Sequence, residues 1–298
     1  MKTETKMIPI KTEQGEYKVW TKRCGENPTK RLLLLHGGPG MSHEYFKSFD
    51  KWFTDSDIEY IYYDQLGSHN SDNPNDRSFW TIERFVDEVE QVRKALDLGP
   101  ENFFLLGHSW GGVLAIEYAL SHPKALKGLI ISNMMANCIA YQKYADEVLA
   151  PQIDSISLKR IRELEKAGQY ESEEYNNLLV PYYERHVLRK PMGEWPECVT
   201  SALSNANQDL YVYMQGPSEF GIAGVLATWD RSKDLSSINI PTLTIGAEYD
   251  TMDPHYMKWM AQELPKSSYL YCKNAGHMAM WDDPEVYHKG LADFINKV

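Results

Sequence analysis

Positive charge is scarce in this 298-residue chain: 31 Lys and Arg stand against 42 Asp and Glu, a formal net charge of −11. A chain this acidic, with no long Lys/Arg block, is not suited to wrapping phosphate backbones or anionic lipid, so neither nucleic acid nor membrane is expected as a partner. Long hydrophobic runs are missing as well. Stretches such as Leu32–Leu35 fall far short of the roughly 20 residues that span a bilayer. Met1 to Ile10 has no apolar stretch after its lysines, so no secretory signal is expected. Cysteine is rare: Cys24, Cys138, Cys198 and Cys272 lie far apart with no CxxC pair, which points to reduced thiols and a cytoplasmic protein. The chain has no HExxH or grouped His/carboxylate motif, no GxGxxG and no P-loop Lys-Ser/Thr; no metal and no cofactor is expected.

What is present can fold. Hydrophobic residues make up 43% and aromatics 12%, too much for disorder. Short β-rich runs alternate with longer segments of helical period. The runs are Arg31–Leu35, Ile58–Tyr63, Asn102–Leu106, Leu129–Ser132, Thr242–Ile245 and Tyr269–Tyr271. The helical segments include Thr81–Leu98, Trp110–Ser121, Pro254–Leu264 and Pro284–Lys297. Continuous apolar strands between helices predict an α/β fold, with a mostly parallel central sheet covered by helices on both faces. The rhythm breaks in the middle. Strand signal fades from about Ala136 to Ser232, where charged helical stretches (Leu158–Lys166, Ser172–Arg189) take over, punctuated by Pro181, Pro191, Pro196 and Pro217. The expected organisation is a sheet domain, 1–135 and 233–298, interrupted by a helical cap domain, 136–232.

The chemistry centres on Phe103–Gly112, which reads FFLLGHSWGG. It is a strand, then Gly107-His108-Ser109-Trp110-Gly111, then an Ala-rich helix: G-x-S-x-G in the strand–turn–helix context of a nucleophile elbow. The flanking glycines permit a sharp turn that raises the Ser109 hydroxyl at the carboxyl end of a central strand. A serine attack on a carbonyl creates an oxyanion, which needs preformed donors roughly 3 Å away. The backbone N–H of Trp110 and that of Gly38, in His36-Gly37-Gly38-Pro39-Gly40 after an earlier strand, are the candidates. A triad then needs an acid and a histidine in the order Ser…Asp…His. Asp250 follows the strand Thr242–Ile245, and His277 follows Tyr269–Tyr271. His277 would take the proton from Ser109, and Asp250 would hold its tautomer, with Glu248 as the alternative acid. His36 and His108 read as loop scaffolding, His122 and His288 as helix-surface residues, and Asp253 as the cap of a helix starting at Pro254.

With these residues in place the chain resembles the α/β-hydrolase superfamily, and within it the proline iminopeptidases of the tricorn-interacting aminopeptidase type. The resemblance rests on His36–Gly40 with Met41-Ser42-His43, on Tyr63-Asp64-Gln65, and on the elbow Gly107–Gly112. Gly216-Pro217-Ser218-Glu219-Phe220, Gly246–Asp250 and Gly276–Trp281 complete it, so it spans nearly the whole chain. It implies removal of an N-terminal residue, usually proline, from a peptide or amide, with Glu219 at the family's amine-binding position. Two departures stand out. Thr251 occupies a position where the family often has a second amine-binding glutamate, which would weaken recognition of the amine and loosen the preference for proline. His69 replaces a glycine of the family's DQxGxGxS segment, so a different course is expected for that loop. The expected partner is a small peptide or an aminoacyl amide or ester. The competing readings are a broad amino-acid amidase or esterase, and a non-catalytic receptor whose cap aromatics (Tyr182, Tyr183, Trp195, Tyr211, Tyr213, Trp229) cradle a small apolar ligand.

Overall fold

The apolar run Arg31–Leu35 forms a strand at the middle of an eight-stranded sheet, in a computed structural model that describes every residue from Met1 to Val298. The strands are β1 (Thr3–Thr12), β2 (Gly15–Cys24), β3 (Arg31–Leu35), β4 (Glu59–Asp64), β5 (Phe103–His108), β6 (Gly128–Ser132), β7 (Thr242–Ala247) and β8 (Ser267–Cys272). Their order across the sheet is β1-β2-β4-β3-β5-β6-β7-β8. From β4 to β8 every pairing is parallel, while β2 runs antiparallel to both β1 and β4.

The all-apolar strands are explained by helices on both faces. Before the middle segment these are α1 (Ser48–Phe53), α2 (Ile82–Ala95) and α3 (Trp110–Ser121). Side chains of a strand alternate between faces, and here both sets are buried. Leu33, Leu35, Phe103, Leu105, Leu129 and Ile131 enter one core; Leu32, Leu34, Phe104, Leu106 and Ile130 enter the other. β1 and β2 carry no continuous apolar run and are not among the strands that such runs predict. They form an edge hairpin whose outer strand is exposed except at Ile8, Ile10 and partly buried Thr12.

Between β6 and β7 the chain holds no strand. It runs through α4 (Cys138–Tyr144), α5 (Ser155–Lys166), α6 (Glu173–His186), α7 (Glu197–Ser204) and α8 (Gln208–Met214). Side-chain caps on Asn137, Asp154, Ser172 and Asn207 start four of these helices. The insertion has a small core of its own around Ile161, Leu164, Tyr175 and Leu179, but Val199 and Leu210 join the two cores of the sheet. Returning to the sheet, α9 (Pro254–Glu263) is capped by Asp253 as expected, followed by α10 (Ala279–Asp282) and α11 (Pro284–Lys297). One expectation fails. His288 of α11 is not on the surface but 1% exposed, packed among Phe49, Trp52 and Phe53 of α1. The helix turns this face toward α1, and an aromatic ring fills the space whether or not it can be protonated.

Leu105 lies in a central strand, fully buried. Leu105→Ala is expected to lower the unfolding free energy by about 2–5 kcal/mol, read as a reduced urea midpoint at an unchanged denaturant slope.

Candidate active site

Three consecutive facts of local geometry build the elbow. Ser109 has φ 57° and ψ −127°, a conformation that costs a non-glycine residue about 1–3 kcal/mol and holds only where its surroundings enforce it. The enforcement is close packing. A Cβ on Gly107 would collide with the carbonyl of Gly111, and one on Gly111 with the carbonyl of Leu35. Gly37 crosses directly in front of the serine: a Cβ there would lie 2.9 Å from Ser109 Cβ and 3.4 Å from Oγ. The sequence therefore needs glycine on both sides of the turn and on the neighbouring loop.

Four loops converge here because they follow the carboxyl ends of β3, β5, β7 and β8. His277 Nδ1 lies 2.7 Å from Asp250 Oδ1, with both residues buried. Asp250 is itself held from two sides, by Asn133 Nδ2 donating to Oδ2 at 2.6 Å and Met252 N–H donating to Oδ1 at 3.1 Å. Glu248 is half-buried and makes no bond to His277, so Asp250 is the acid the structure pairs with the imidazole. Burial works against the His277 imidazolium, but the Asp250 charge and hydrogen bond, with the Glu219 carboxylate, outweigh it and leave its pKa above the ordinary value. Nε2 of His277 is buried without a protein partner, and Ser109 Oγ makes no hydrogen bond, so the two are not joined. Such contacts commonly tighten only when substrate is present.

A buried hydrogen-bond line connects three of the loops. The Tyr45 hydroxyl accepts from Gly37 N–H at 2.6 Å and donates to His108 Nδ1 at 3.1 Å, and His108 Nε2–H donates to the His277 carbonyl at 2.9 Å. This pattern requires a neutral His108, and burial pushes its pKa down to about 3. The line also separates the two candidate donors of the His36–Gly40 loop. Gly37 N–H is spent on Tyr45; the N–H groups of Gly38 and Trp110 donate to no protein acceptor. The Trp110 indole anchors the start of α3 by donating to Gln65 Oε1 at 2.8 Å.

The insertion forms the opposite wall. Its α6 ends against the histidine loop, where His277 N–H donates to the His186 carbonyl and Met278 N–H to that of Val187, both at 2.7 Å. Glu219 is placed by four tyrosines. Tyr211 donates to its Oε1 at 2.6 Å, Tyr141 and Tyr182 donate to its carbonyl, and its N–H reaches the Tyr183 hydroxyl at 3.5 Å. It lies on the wall of a cavity of about 550 Å³ that reaches Met41 beside the glycine loop and is lined by Tyr183, Trp195 and Tyr211. Arg77 is the one cation on that wall. Thr251 faces elsewhere. It is fully buried, and its hydroxyl lies 3.3 Å from Asp250 Oδ1 and 3.2 Å from His277 Nδ1. His69 keeps φ 34°, a region glycine adopts more readily, with Nε2 4.0 Å from the Glu44 carboxylate.

Residues 30–151 match the family described as alpha/beta hydrolase fold. The chain is 53% identical to a proline iminopeptidase of Flavobacterium johnsoniae and 50% identical to one of Elizabethkingia meningoseptica, in each case over 98% of both chains. The chain belongs to the proline iminopeptidase family. Among solved structures, this proline iminopeptidase family member superposes on the protein VinJ with a TM-score of 0.89, at 27% identity over 98% of each chain. A proline iminopeptidase of Mycobacterium smegmatis gives 0.85, at 27% identity over 99% of this chain and 98% of that one.

The sequence does not announce Tyr45, Asn133 or His186, although all three touch the site of this family member. Asn133 had a signal: it follows a strand's carboxyl end, like Ser109 and Asp250, and its φ of 53° suits asparagine. Tyr45 and His186 act across the fold and leave no local pattern.

His36, His108 and His288 are buried with pKa values pushed down to about 4, 3 and 3, in each case chiefly by desolvation. Unfolding releases them to an ordinary value of about 6.5, so between that pH and the folded values the unfolded chain binds more protons. Stability is therefore expected to fall as pH drops below about 6.5, by about 1 kcal/mol or more per histidine at pH 5. Urea midpoints at pH 7.5, 6 and 5 check this.

Proposed function

We propose that this chain is a serine aminopeptidase that releases an N-terminal residue, proline first, from peptides and amides. The observation that carries the reading is Glu219: a carboxylate fixed by a buried tyrosine on the wall of a cavity that reaches Met41, next to the glycine loop. The Glu219 charge also acts on His277, so a free amine held at this carboxylate belongs to the residue next to the bond cut, the register of an exopeptidase. Charge-assisted hydrogen bonds of this kind are among the stronger polar contacts available.

The proposed roles follow. His277 removes the proton from Ser109 Oγ as it attacks the carbonyl carbon, and Asp250 stabilises the imidazolium. The Gly38 and Trp110 N–H groups receive the oxyanion. Collapse breaks the C–N bond, with His277 returning the proton to the leaving amine. A water activated by His277 then attacks the aminoacyl ester, releasing the amino acid and restoring Ser109. The residues 1–135 and 233–298 supply this machinery, and 136–232 act as the cap domain that supplies the anchor. The substrate is a small peptide or an aminoacyl amide, and the reduced thiols suit a cytoplasmic setting; no helix is long and apolar enough to cross a membrane.

Broad aminoacyl choice is a second reading, favoured by Thr251, which brings no second carboxylate to the cavity and turns its hydroxyl to the Asp250–His277 pair. If it holds, amides of other residues turn over faster than prolyl ones.

Chromogenic release from prolyl p-nitroanilide is the test. The wild type is expected to cleave it and Ser109→Ala to be silent; no turnover of any aminoacyl amide by folded protein overturns the aminopeptidase reading. Glu219→Gln is expected to lower kcat/KM on substrates with a free amine by roughly ten- to hundredfold, the worth of one hydrogen bond to a charged group, while simple aryl esters are spared. Equal losses on both would count against amine recognition.

A further inference from the structure

An aminopeptidase built this way must fix the distance between two parts on different segments. The anchor Glu219 lies in the insertion, and the oxyanion donor Gly38 lies in the glycine loop after β3. Resting on the aminopeptidase reading, we infer that Asn207 sets this distance and is the positioning residue that selects α-amino acyl substrates.

Asn207 binds both sides of the gap at once. Its N–H donates to the Gly40 carbonyl at 2.8 Å, two residues from Gly38. Its Nδ2 donates to the Gly67 carbonyl at 3.0 Å, in the loop after β4. Its Oδ1 accepts from Leu210 N–H and caps α8, and its carbonyl accepts from Tyr211 N–H at 2.9 Å. Tyr211 in turn donates to the Glu219 carboxylate. One turn of helix thus spans from the glycine loop to the anchor.

The surrounding packing leaves this turn little play. Gly40 and Gly67 have φ of 86° and 91°, and Leu210 packs over both. A Cβ on Gly40 would lie 3.0 Å from the Asn207 carbonyl and 3.3 Å from Leu210 Cδ2; one on Gly67 would lie 3.4 Å from the same Leu210 carbon. Two left-handed glycines therefore let the first turn of α8 rest directly on two loops. Position matters more here because Thr251 adds no second carboxylate: with Glu219 as the one fixed anchor, nothing corrects a misplaced amine. Misplacement by about 1 Å can cost up to about a hundredfold in rate.

The test separates position from folding. Asn207→Asp keeps the helix cap, since Asp caps as well as Asn, but replaces the Nδ2 donor with an oxygen facing the Gly67 carbonyl. Asn207→Ser keeps a capping oxygen and cannot reach Gly67. For both, kcat/KM is measured on prolyl p-nitroanilide and on p-nitrophenyl acetate, which has no amine to anchor, with thermal midpoints alongside. The expected result is a fall of roughly tenfold or more in the anilide-to-ester ratio, chiefly through kcat, at a thermal midpoint close to wild type. An unchanged ratio in both variants, whether activity is kept or lost on both substrates, overturns the inference while the wild-type activity still upholds the aminopeptidase reading. A wild type inactive on aminoacyl anilides overturns that reading, and the inference with it.

Discussion

The arrangement depends on one neutral imidazole. His108 precedes Ser109, accepts a hydrogen bond from the Tyr45 hydroxyl on one ring nitrogen and donates one to the His277 carbonyl from the other, while the Tyr45 oxygen accepts from the N–H of Gly37. Three loops that leave the sheet from β3, β5 and β8 are locked together by that line. It works in one protonation state only, because an imidazolium would have no acceptor side to offer Tyr45. Burial secures that state. The line adds to the glycine packing around Ser109, leaves Gly38 N–H free by taking up that of Gly37, and holds the His277 carbonyl.

A division of labour follows. His277, hydrogen-bonded to a carboxylate, has its pKa raised; His36 and His108, hydrogen-bonded to neutral groups, have theirs lowered. Burial pushes all three imidazoles toward the neutral form, and only at His277 do the charge and hydrogen bond of Asp250 outweigh it.

The parts of the site that were legible in the sequence are those whose constraint is local. Gly107 to Gly112 could be read because a tight strand–turn–helix demands glycines at fixed offsets, and the packing distances bear that demand out. Asp250 and His277 could be placed because both follow apolar strands. The parallel strands themselves were legible because burial on two faces removes polar residues from them. The hairpin of β1 and β2 escaped because its outer strand is largely exposed, so lysines and glutamates interrupt the run. His288 was misplaced since a helical pattern gives a face but not its neighbour, and α1 happens to cover it. Thr251 was readable as a missing charge; that its hydroxyl turns to the Asp250–His277 pair is a fact of side-chain direction, which spacing does not encode.

The contact between the end of α6 and the histidine loop gives the insertion a second meaning. His277 donates its backbone N–H to the insertion, so that segment is one of the supports of this imidazole, beside Asp250 and His108. Two backbone bonds tie the end of α6 to the loop that carries His277, so a displacement of either one is felt by the other.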